Sequence, residues 1–283
     1  MRGPSDRERR PRPPARKRFG QNFLEPAWAR KVVAAIDPKS TDAFLEIGPG
    51  PGAITRLLAE SASSVLACEI DRDLAAALRR EQIPRVTVVD GDFLRHEPDV
   101  LLAQLKASAP DADSFRVAGN LPYNVASPIM FRLVDLHRSG LPIADATIML
   151  QREVADRLLA PPGSRDYGVL SVLIGHRAST ARLLNLPPGA FRPAPKVQSS
   201  VVRLRFHEPE PAVASEAVLA AIANAVFSRR RKTLNNALLA YGALTPESAH
   251  HVLAAADIDA GRRPETLTIA EFARLADAVS VLP

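Results

Sequence analysis

Asn120-Leu121-Pro122-Tyr123 directly follows the apolar run Phe115 to Ala118 and places a side-chain amide, a proline and an aromatic ring within four positions. Pro122 fixes its own φ, lacks an N–H and pushes Leu121 toward extended backbone, so the turn should hold carbonyl oxygens outward. The Asn120 side-chain oxygen and a nearby carbonyl can accept both hydrogens of an exocyclic amine, while the Tyr123 ring offers a face for a base. An ordinary strand-to-helix turn would use the same residues.

Three further stretches carry groups that could bind a ligand beside this turn. Ala43 to Ile47 reads as a buried strand, followed by Gly48-Pro49-Gly50-Pro51-Gly52 and a helix through Ile54, Leu57 and Leu58. A glycine-rich bend between strand and helix lets a ligand approach the backbone closely. Gly48, Gly50 and Ala53 satisfy the G-x-G-x-x-[GA] dinucleotide fingerprint. However, Pro49 and Pro51 remove two N–H groups from a loop that would cradle a pyrophosphate, so the loop suits a ligand without phosphates. Val65 to Glu69 is a second strand, with Glu69 placed to accept both hydroxyls of a ribose. Asp71 and Asp73 then open a helix and read as capping residues. Arg85 to Val89 is a third strand, leading to Asp90-Gly91-Asp92-Phe93, where an acid can accept from an adenine amino group; Asp90 itself suits a turn.

The elements that position these groups alternate strand, helix and strand, which predicts an α/β fold: a Rossmann-like parallel sheet with helices on both faces. Ligands of such sheets bind beyond the carboxyl ends of the strands, where Gly48, Glu69, Asp92 and Asn120 all fall. Ahead of the first strand, Pro26 begins a helical pattern through Trp28, Val32, Val33 and Ile36. Gln21, Asn22 and Leu24 therefore lie just before a helix, between the expected anchors Phe19 and Phe23. Further on, Pro128 to Leu136 and Gln151 to Leu159 read as helices, and Asp145 to Leu150 and Val197 to Phe206 as strands. Composition shifts at His207-Glu208-Pro209-Glu210-Pro211, and an Ala- and Leu-rich stretch with helical spacing follows. It should form a small all-α domain of four or five short helices. Arg229-Arg230-Arg231-Lys232, between Phe227 and Leu234, is expected on one continuous helix there. Four consecutive cations ordinarily mark a solvated face.

Composition narrows the function classes. The formal charge is +6, and Met1 to Arg18 alone holds eight basic and two acidic residues, leaving the rest balanced. A Pro- and Arg-rich tail cannot bury enough apolar surface to fold alone, so residues 1–18 are expected to be disordered, as a solubilising tail or as a contact for a polyanion. No apolar segment follows it, so it is not a secretory signal. There is no uninterrupted apolar run long enough to span a membrane. One cysteine, Cys68, permits no internal disulfide and fits a cytoplasmic protein; in an apolar strand it reads as core, not nucleophile. The histidines have no ligand spacing, so no metal is expected.

Taken in order, Gly-Gln-Asn-Phe-Leu at 20 to 24, Glu-x-Gly-x-Gly at 46 to 50, Glu69, Asp92 and Asn-Leu-Pro-Tyr at 120 to 123 resemble the motifs of the S-adenosylmethionine-dependent ribosomal RNA adenine N6-dimethyltransferases. Leu150 to Val154, Tyr167 to Ser171, Phe191 to Ser199 and Phe227 to Leu234 extend the likeness over roughly residues 17 to 280. The resemblance implies a class I methyltransferase domain over 19–207 and a helical RNA-binding domain over 208–283. It implies a cofactor, S-adenosylmethionine, with S-adenosylhomocysteine as its product, lying against Asn22, Leu24, Gly48, Gly50, Glu69, Asp92 and Asn120. Asn120 and the Leu121 carbonyl would hold the target amine, Tyr123 and Phe191 would sandwich an unpaired adenine, and Arg229, Arg230, Arg231 and Lys232 would meet phosphates.

The implied substrate is a pair of adjacent adenosines in a loop near the 3′ end of small-subunit ribosomal RNA, met within a pre-assembled particle by an enzyme expected to be monomeric. Leu121 and the basic run at Arg229 favour this over the related erythromycin-resistance enzymes, which act on large-subunit RNA. A ribosome-assembly factor without catalysis is the third possibility, and the intact acceptor turn and pocket acids speak against it. Adenine's amino nitrogen is a poor nucleophile because its lone pair is delocalised, so placement against a sulfonium methyl should supply most of the acceleration, with no covalent enzyme intermediate.

Overall fold

The computed structural model describes residues 21–282. The basic tail and the segment Lys17 to Gly20, with the expected anchor Phe19, lie outside the described residues. The strands are β1 (Phe23–Leu24), β2 (Ala43–Ile47), β3 (Ser64–Glu69), β4 (Val86–Asp90), β5 (Phe115–Asn120), β6 (Ile143–Gln151), β7 (Ala178–Leu186), β8 (Phe191–Arg192) and β9 (Ser199–Phe206). Helices α1 (Pro26–Ile36), α2 (Thr55–Ser61), α3 (Arg72–Arg80), α4 (Pro98–Ser108), α5 (Ala126–Arg138), α6 (Arg152–Leu158) and α7 (Val169–Gly175) accompany them, followed by α8 (Glu216–Ser228), α9 (Leu234–Leu238), α10 (Pro246–Ala255) and α11 (Ile269–Ser280).

Seven strands form one sheet in the order β4-β3-β2-β5-β6-β9-β7, with β9 antiparallel to both its neighbours and the other strands parallel. This is the Rossmann-like α/β architecture expected from the alternating pattern. From β2 the chain moves outward through β3 and β4, then returns to the other side of β2 to lay down β5. The order therefore reverses between β2 and β5, and a crevice opens above their carboxyl ends. Both β2 and β3 are buried along their whole length, as strands covered by helices on two faces must be.

The opposite end of the sheet is fixed by a largely buried charge network. Helix α1 starts on Pro26, buries Ala29, Val32, Val33 and Ile36, and ends at Asp37 in left-handed backbone. Arg116, at the start of β5, donates to the carbonyls of Ile36 and Asp37 at 2.9 and 3.2 Å. Its guanidinium also pairs with Asp42 at 2.7 Å and with Asp145 at 2.9 Å. Arg203, from β9, donates to the carbonyls of Ala35 and Ile36. Two cations thus satisfy the orphan carbonyls at the helix end and tie α1 to three strands.

After β9 the chain crosses residues 207–215 and enters α8. The crossing is pinned: His207 and Glu210 donate backbone N–H groups to the carbonyls of Arg177 and His176, and Arg177 pairs with Glu216 at the start of α8. Helices α8 to α11 share their own apolar core, to which Tyr167 and Val172 also contribute. The Tyr167 ring meets Phe227 edge-on at 6.0 Å, and Phe227 stacks on Phe272 at 5.7 Å. The stretch Tyr167 to Ser171 is therefore the seam between the sheet and the helical layer. The basic run is not helical: α8 stops at Ser228, and residues 229–232 form the turn before α9, whose first turn begins after Thr233. The expectation of one continuous helix is corrected here. No described helix is long and apolar enough to cross a membrane.

Candidate active site

Above the β2–β5 reversal lies a solvent-connected cleft, lined by Asn22, Leu24, Glu46, Gly48, Gly50, Glu69, Asn120, Leu121, Pro122 and Tyr123 among others. A second hollow, lined by Cys68, Asp92, Phe93 and Val125, adjoins it across Gly48, Ile70 and Pro122. Every expected cofactor position thus borders one continuous crevice.

The glycine bend explains which ligands fit. Gly48, Gly50 and Gly52 all have left-handed backbone, at φ 69°, 56° and 80°. Their amides are engaged within the chain: Gly48 donates to the Cys68 carbonyl, Gly50 to Glu69 Oε2 and Gly52 to the Pro49 carbonyl. With Pro49 and Pro51 carrying no N–H, the bend has no amide left for a pyrophosphate, so the dinucleotide fingerprint is not functioning as one. A Cβ on Gly50 would sit 3.3 Å from the Phe23 ring, which closes β1 over the bend.

Glu69 is held rigidly at the carboxyl end of β3. Its Oε2 accepts from Gly50 and its Oε1 from Asp71 N–H at 2.9 Å, leaving a lone pair on each oxygen for a diol. Burial raises its pKa above the ordinary carboxylate value, opposed by these backbone bonds. Asp71 caps α3 by accepting from Asp73 N–H at 3.1 Å, as its spacing predicted. Asp92 accepts from Leu94 N–H at 3.1 Å and faces the second hollow, whereas Asp90 ends β4 at the surface and pairs with Arg79.

The acceptor turn is organised from both sides. Asn120 Nδ2 donates to the Asn22 backbone carbonyl at 2.7 Å, which assigns the amide's orientation and directs Oδ1 away from that carbonyl. The Pro122 carbonyl accepts from Val125 N–H, whereas no such bond takes up the Leu121 carbonyl among the described residues; the Leu121 side chain is buried. Tyr123 is half-buried, and its hydroxyl lies 2.7 Å from Ser199 Oγ, fixing the ring at the cleft wall. Burial pushes the Tyr123 hydroxyl pKa up, so it stays protonated near neutral pH.

Phe191 departs from expectation. It is fully buried, shares a core with Leu24, Ala190 and Val201, and does not line the cleft. Pairing of β8 with β1, Leu24 opposite Phe191, turns the ring inward, where it anchors the ribbon that carries Asn22 and Leu24. The four cations divide: Arg229, Arg231 and Lys232 are exposed, while Arg230 is partly buried, donates to the Ser164 carbonyl at 3.0 Å and pairs with Glu265 at 3.7 Å. Cys68 is buried and burial pushes its thiol up to about 12, so it is not a nucleophile.

Sequence reasoning passed over two residues here. Ser199 steadies Tyr123 across 76 positions of sequence, which no local pattern could reveal. Glu46 is almost fully buried beneath the cleft, and its Oε2 has no hydrogen-bond partner. Its place in the Glu-x-Gly-x-Gly run was the available signal.

Residues 13–279 match the family model described as ribosomal RNA adenine dimethylase. The chain belongs to this family. It is 42% identical over 269 residues to the Ribosomal RNA small subunit methyltransferase A of Aromatoleum aromaticum, covering 94% of each chain, and 40% identical over 268 residues to the protein of the same name from Acinetobacter baylyi, covering 93% of this chain and 92% of that one. Among solved structures it is similar to a dimethyladenosine transferase from Plasmodium falciparum, with a TM-score of 0.72, 24% identity and coverage of 89% of this chain and 95% of that one. The 23S rRNA methyltransferase ErmE gives a TM-score of 0.63 at 27% identity, covering 92% of this chain and all of the other.

Family and fold imply S-adenosylmethionine as methyl donor, and the crevice fits it: a bend closed to phosphates, acids in both adjoining hollows, and a buried carboxyl with an unused oxygen.

Proposed function

We propose that this rRNA adenine dimethyltransferase transfers methyl groups from S-adenosylmethionine to the N6 amines of two adjacent adenosines in a loop near the 3′ end of small-subunit ribosomal RNA. It does so in the cytoplasm, on a pre-assembled small subunit, during ribosome biogenesis. The observation that carries this reading is the Asn120 amide, locked by the Asn22 carbonyl at the switch point of the sheet, beside the acids that suit a nucleoside cofactor.

Glu69 accepts the ribose hydroxyls, Asp92 accepts from the cofactor's adenine amino group, and Asn22, Leu24, Gly48 and Gly50 form the walls. When bound, S-adenosylmethionine supplies an electrophilic sulfonium methyl. Asn120 Oδ1 and the Leu121 carbonyl accept the two hydrogens of the target amine, drawing its lone pair out of conjugation and aiming it into the cleft. As positive charge develops on that nitrogen, the same two oxygens stabilise it. Tyr123 presents its face to the unpaired base and is held there by Ser199, with Phe191 supporting the ribbon behind the cleft. Arg229, Arg231 and Lys232 contact phosphates, and Arg230 holds their turn in place.

Radiolabelled methyl transfer tests this. Small subunits lacking the modification should take up label at adjacent adenosines, and naked large-subunit RNA should not; label on large-subunit RNA alone would refute the assignment.

A further inference from the structure

The hollow beside Asp92, assigned above to the cofactor's adenine, is shaped by a segment with little stability of its own. Between Asp92 and His96 the backbone makes a single 3₁₀ turn, Phe93–Arg95, capped at its start by Asp92 accepting from Leu94 N–H. One such turn makes too few hydrogen bonds to hold itself, so contacts from outside must fix where Asp92 stands. Phe93 supplies one by burying its ring in the core of the sheet. At the far end the His96 ring folds back over Gly91, where an added Cβ would come within 2.8 Å of Nε2, and that nitrogen lies 3.4 Å from Cys68 Sγ.

The remaining tie comes from a different element. Arg132 Nη2 donates to the His96 carbonyl at 2.5 Å, across 36 positions of sequence. Arg132 belongs to α5, the helix that begins directly after the acceptor turn; Val125 at its N-cap and Ile129 one turn on both line the hollow. Spacings of four and three residues put these positions on one helix face, so Arg132 stands just beyond the wall and reaches the Asp92 turn without lining the hollow itself. Its Nε is buried with no hydrogen-bond partner. A buried unmet donor costs stability, and a methionine of similar length would fill the same space without one. The guanidinium is therefore poorly suited to packing alone and well suited to gripping a carbonyl.

We propose that Arg132 is a positioning residue for adenine selection: by holding the His96 carbonyl it sets the turn so that the Asp92 carboxylate meets the 6-amino group of the cofactor. This rests on the cofactor reading above and adds to it a residue that touches neither substrate.

S-adenosylhomocysteine and its analogue carrying hydrogen in place of the 6-amino group are titrated calorimetrically into the wild-type protein and into Arg132→Met, Arg132→Gln and Arg132→Lys. Wild type should favour the amino ligand about 10- to 100-fold, the worth of a hydrogen bond to a charged group. Arg132→Met should weaken the amino ligand about tenfold, leave the deamino ligand unchanged and melt no lower than wild type. Arg132→Gln, too short to reach the carbonyl, should lose the same preference and serves where the methionine variant does not fold. Arg132→Lys, which keeps a donor, should recover most of it. In methyl transfer the methionine or glutamine variant should raise KM for S-adenosylmethionine with kcat unchanged. A preference intact in these two variants, an equal loss for both ligands as a general loss of structure would give, or a fall in kcat with KM unchanged overturns the proposal. Wild-type protein that binds both ligands equally, or neither, would instead sink the cofactor reading, and this proposal with it.

Discussion

Asn120 and Asn22 are joined by one hydrogen bond, 2.7 Å from the Asn120 amide nitrogen to the Asn22 carbonyl, across 98 positions of sequence. The amide donates there and still offers an acceptor oxygen, whereas an ionised carboxylate of the same shape can only accept. Asn120→Asp should therefore place a carboxylate oxygen against the Asn22 carbonyl and misalign the acceptor. A loss of about 10²- to 10³-fold in kcat is expected, the scale seen when one preorganised hydrogen-bonding group is removed. Single-turnover kinetics at saturating cofactor check this; a variant that lost cofactor affinity alone would contradict it.

Tyr123 tests the base side of the same turn. Tyr123→Ala removes the aromatic face and should lower methyl transfer roughly 10- to 100-fold, the worth of one base–aromatic stack, with cofactor affinity unchanged. Tyr123→Phe keeps the face but loses the Ser199 contact, and should retain most activity. Equal losses in transfer and in cofactor binding for the alanine variant would place the ring elsewhere.

The basic turn separates two roles that four like residues conceal. Replacing Arg229, Arg231 and Lys232 together with Ala should weaken RNA binding and lower the slope of log affinity against log salt by up to about three, near one per lost phosphate contact. Arg230→Ala should lower the melting temperature instead, because its guanidinium spans the Ser164 carbonyl and Glu265. A salt slope unmoved by the triple variant would remove these cations from the RNA interface.

These contrasts mark where sequence legibility ends. The strands from Ala43 to Asn120, the glycine bend and the acids beyond them could be read because each is a local pattern: an apolar run, a turn, a polar residue after a strand. Phe191 could not, since its inward orientation is set by pairing with Leu24, 167 positions away, and an aromatic residue suits a core and a base stack equally. The end of α8 at Ser228 was also hidden, because an Arg- and Lys-rich stretch has good helix propensity and only the start of a new helix after Thr233 breaks it. Strand β7 went unread: its burial alternates imperfectly, and its pairing with β9 carries an irregularity between Arg182 and Leu184.

Arg116 gives a prediction about folding rather than chemistry. It lies at the far end of β5 from Asn120, four residues and about 13 Å away along the strand. Arg116→Met leaves Asp42 and Asp145 without their principal cation and two α1 carbonyls without a donor. The expected loss is about 3–5 kcal/mol, as for other buried pairs broken on one side. Urea denaturation measures it, while turnover per folded molecule should be unaffected. A loss under 1 kcal/mol would mean the network contributes little.

Glu271 predicts how the helical layer responds to acid. It closes a capping box with Thr268 at the start of α11, accepting from Thr268 N–H at 2.7 Å, and it pairs with Arg262. The Arg262 guanidinium, with the Thr268 donors, holds its carboxyl down at about 2 against burial, which acts the other way. A folded-state pKa below the unfolded value of 4.5 means the ionised group stabilises the fold. That contribution is complete above about pH 5 and is lost as pH falls toward 2; at about 1.4 kcal/mol per unit it reaches roughly 3 kcal/mol. The stability gap between wild type and Glu271→Gln, measured by denaturant unfolding from pH 7 down to pH 3, should narrow steadily below pH 5. A gap that stays constant over that range would show that the carboxylate's charge contributes nothing and that only its shape matters.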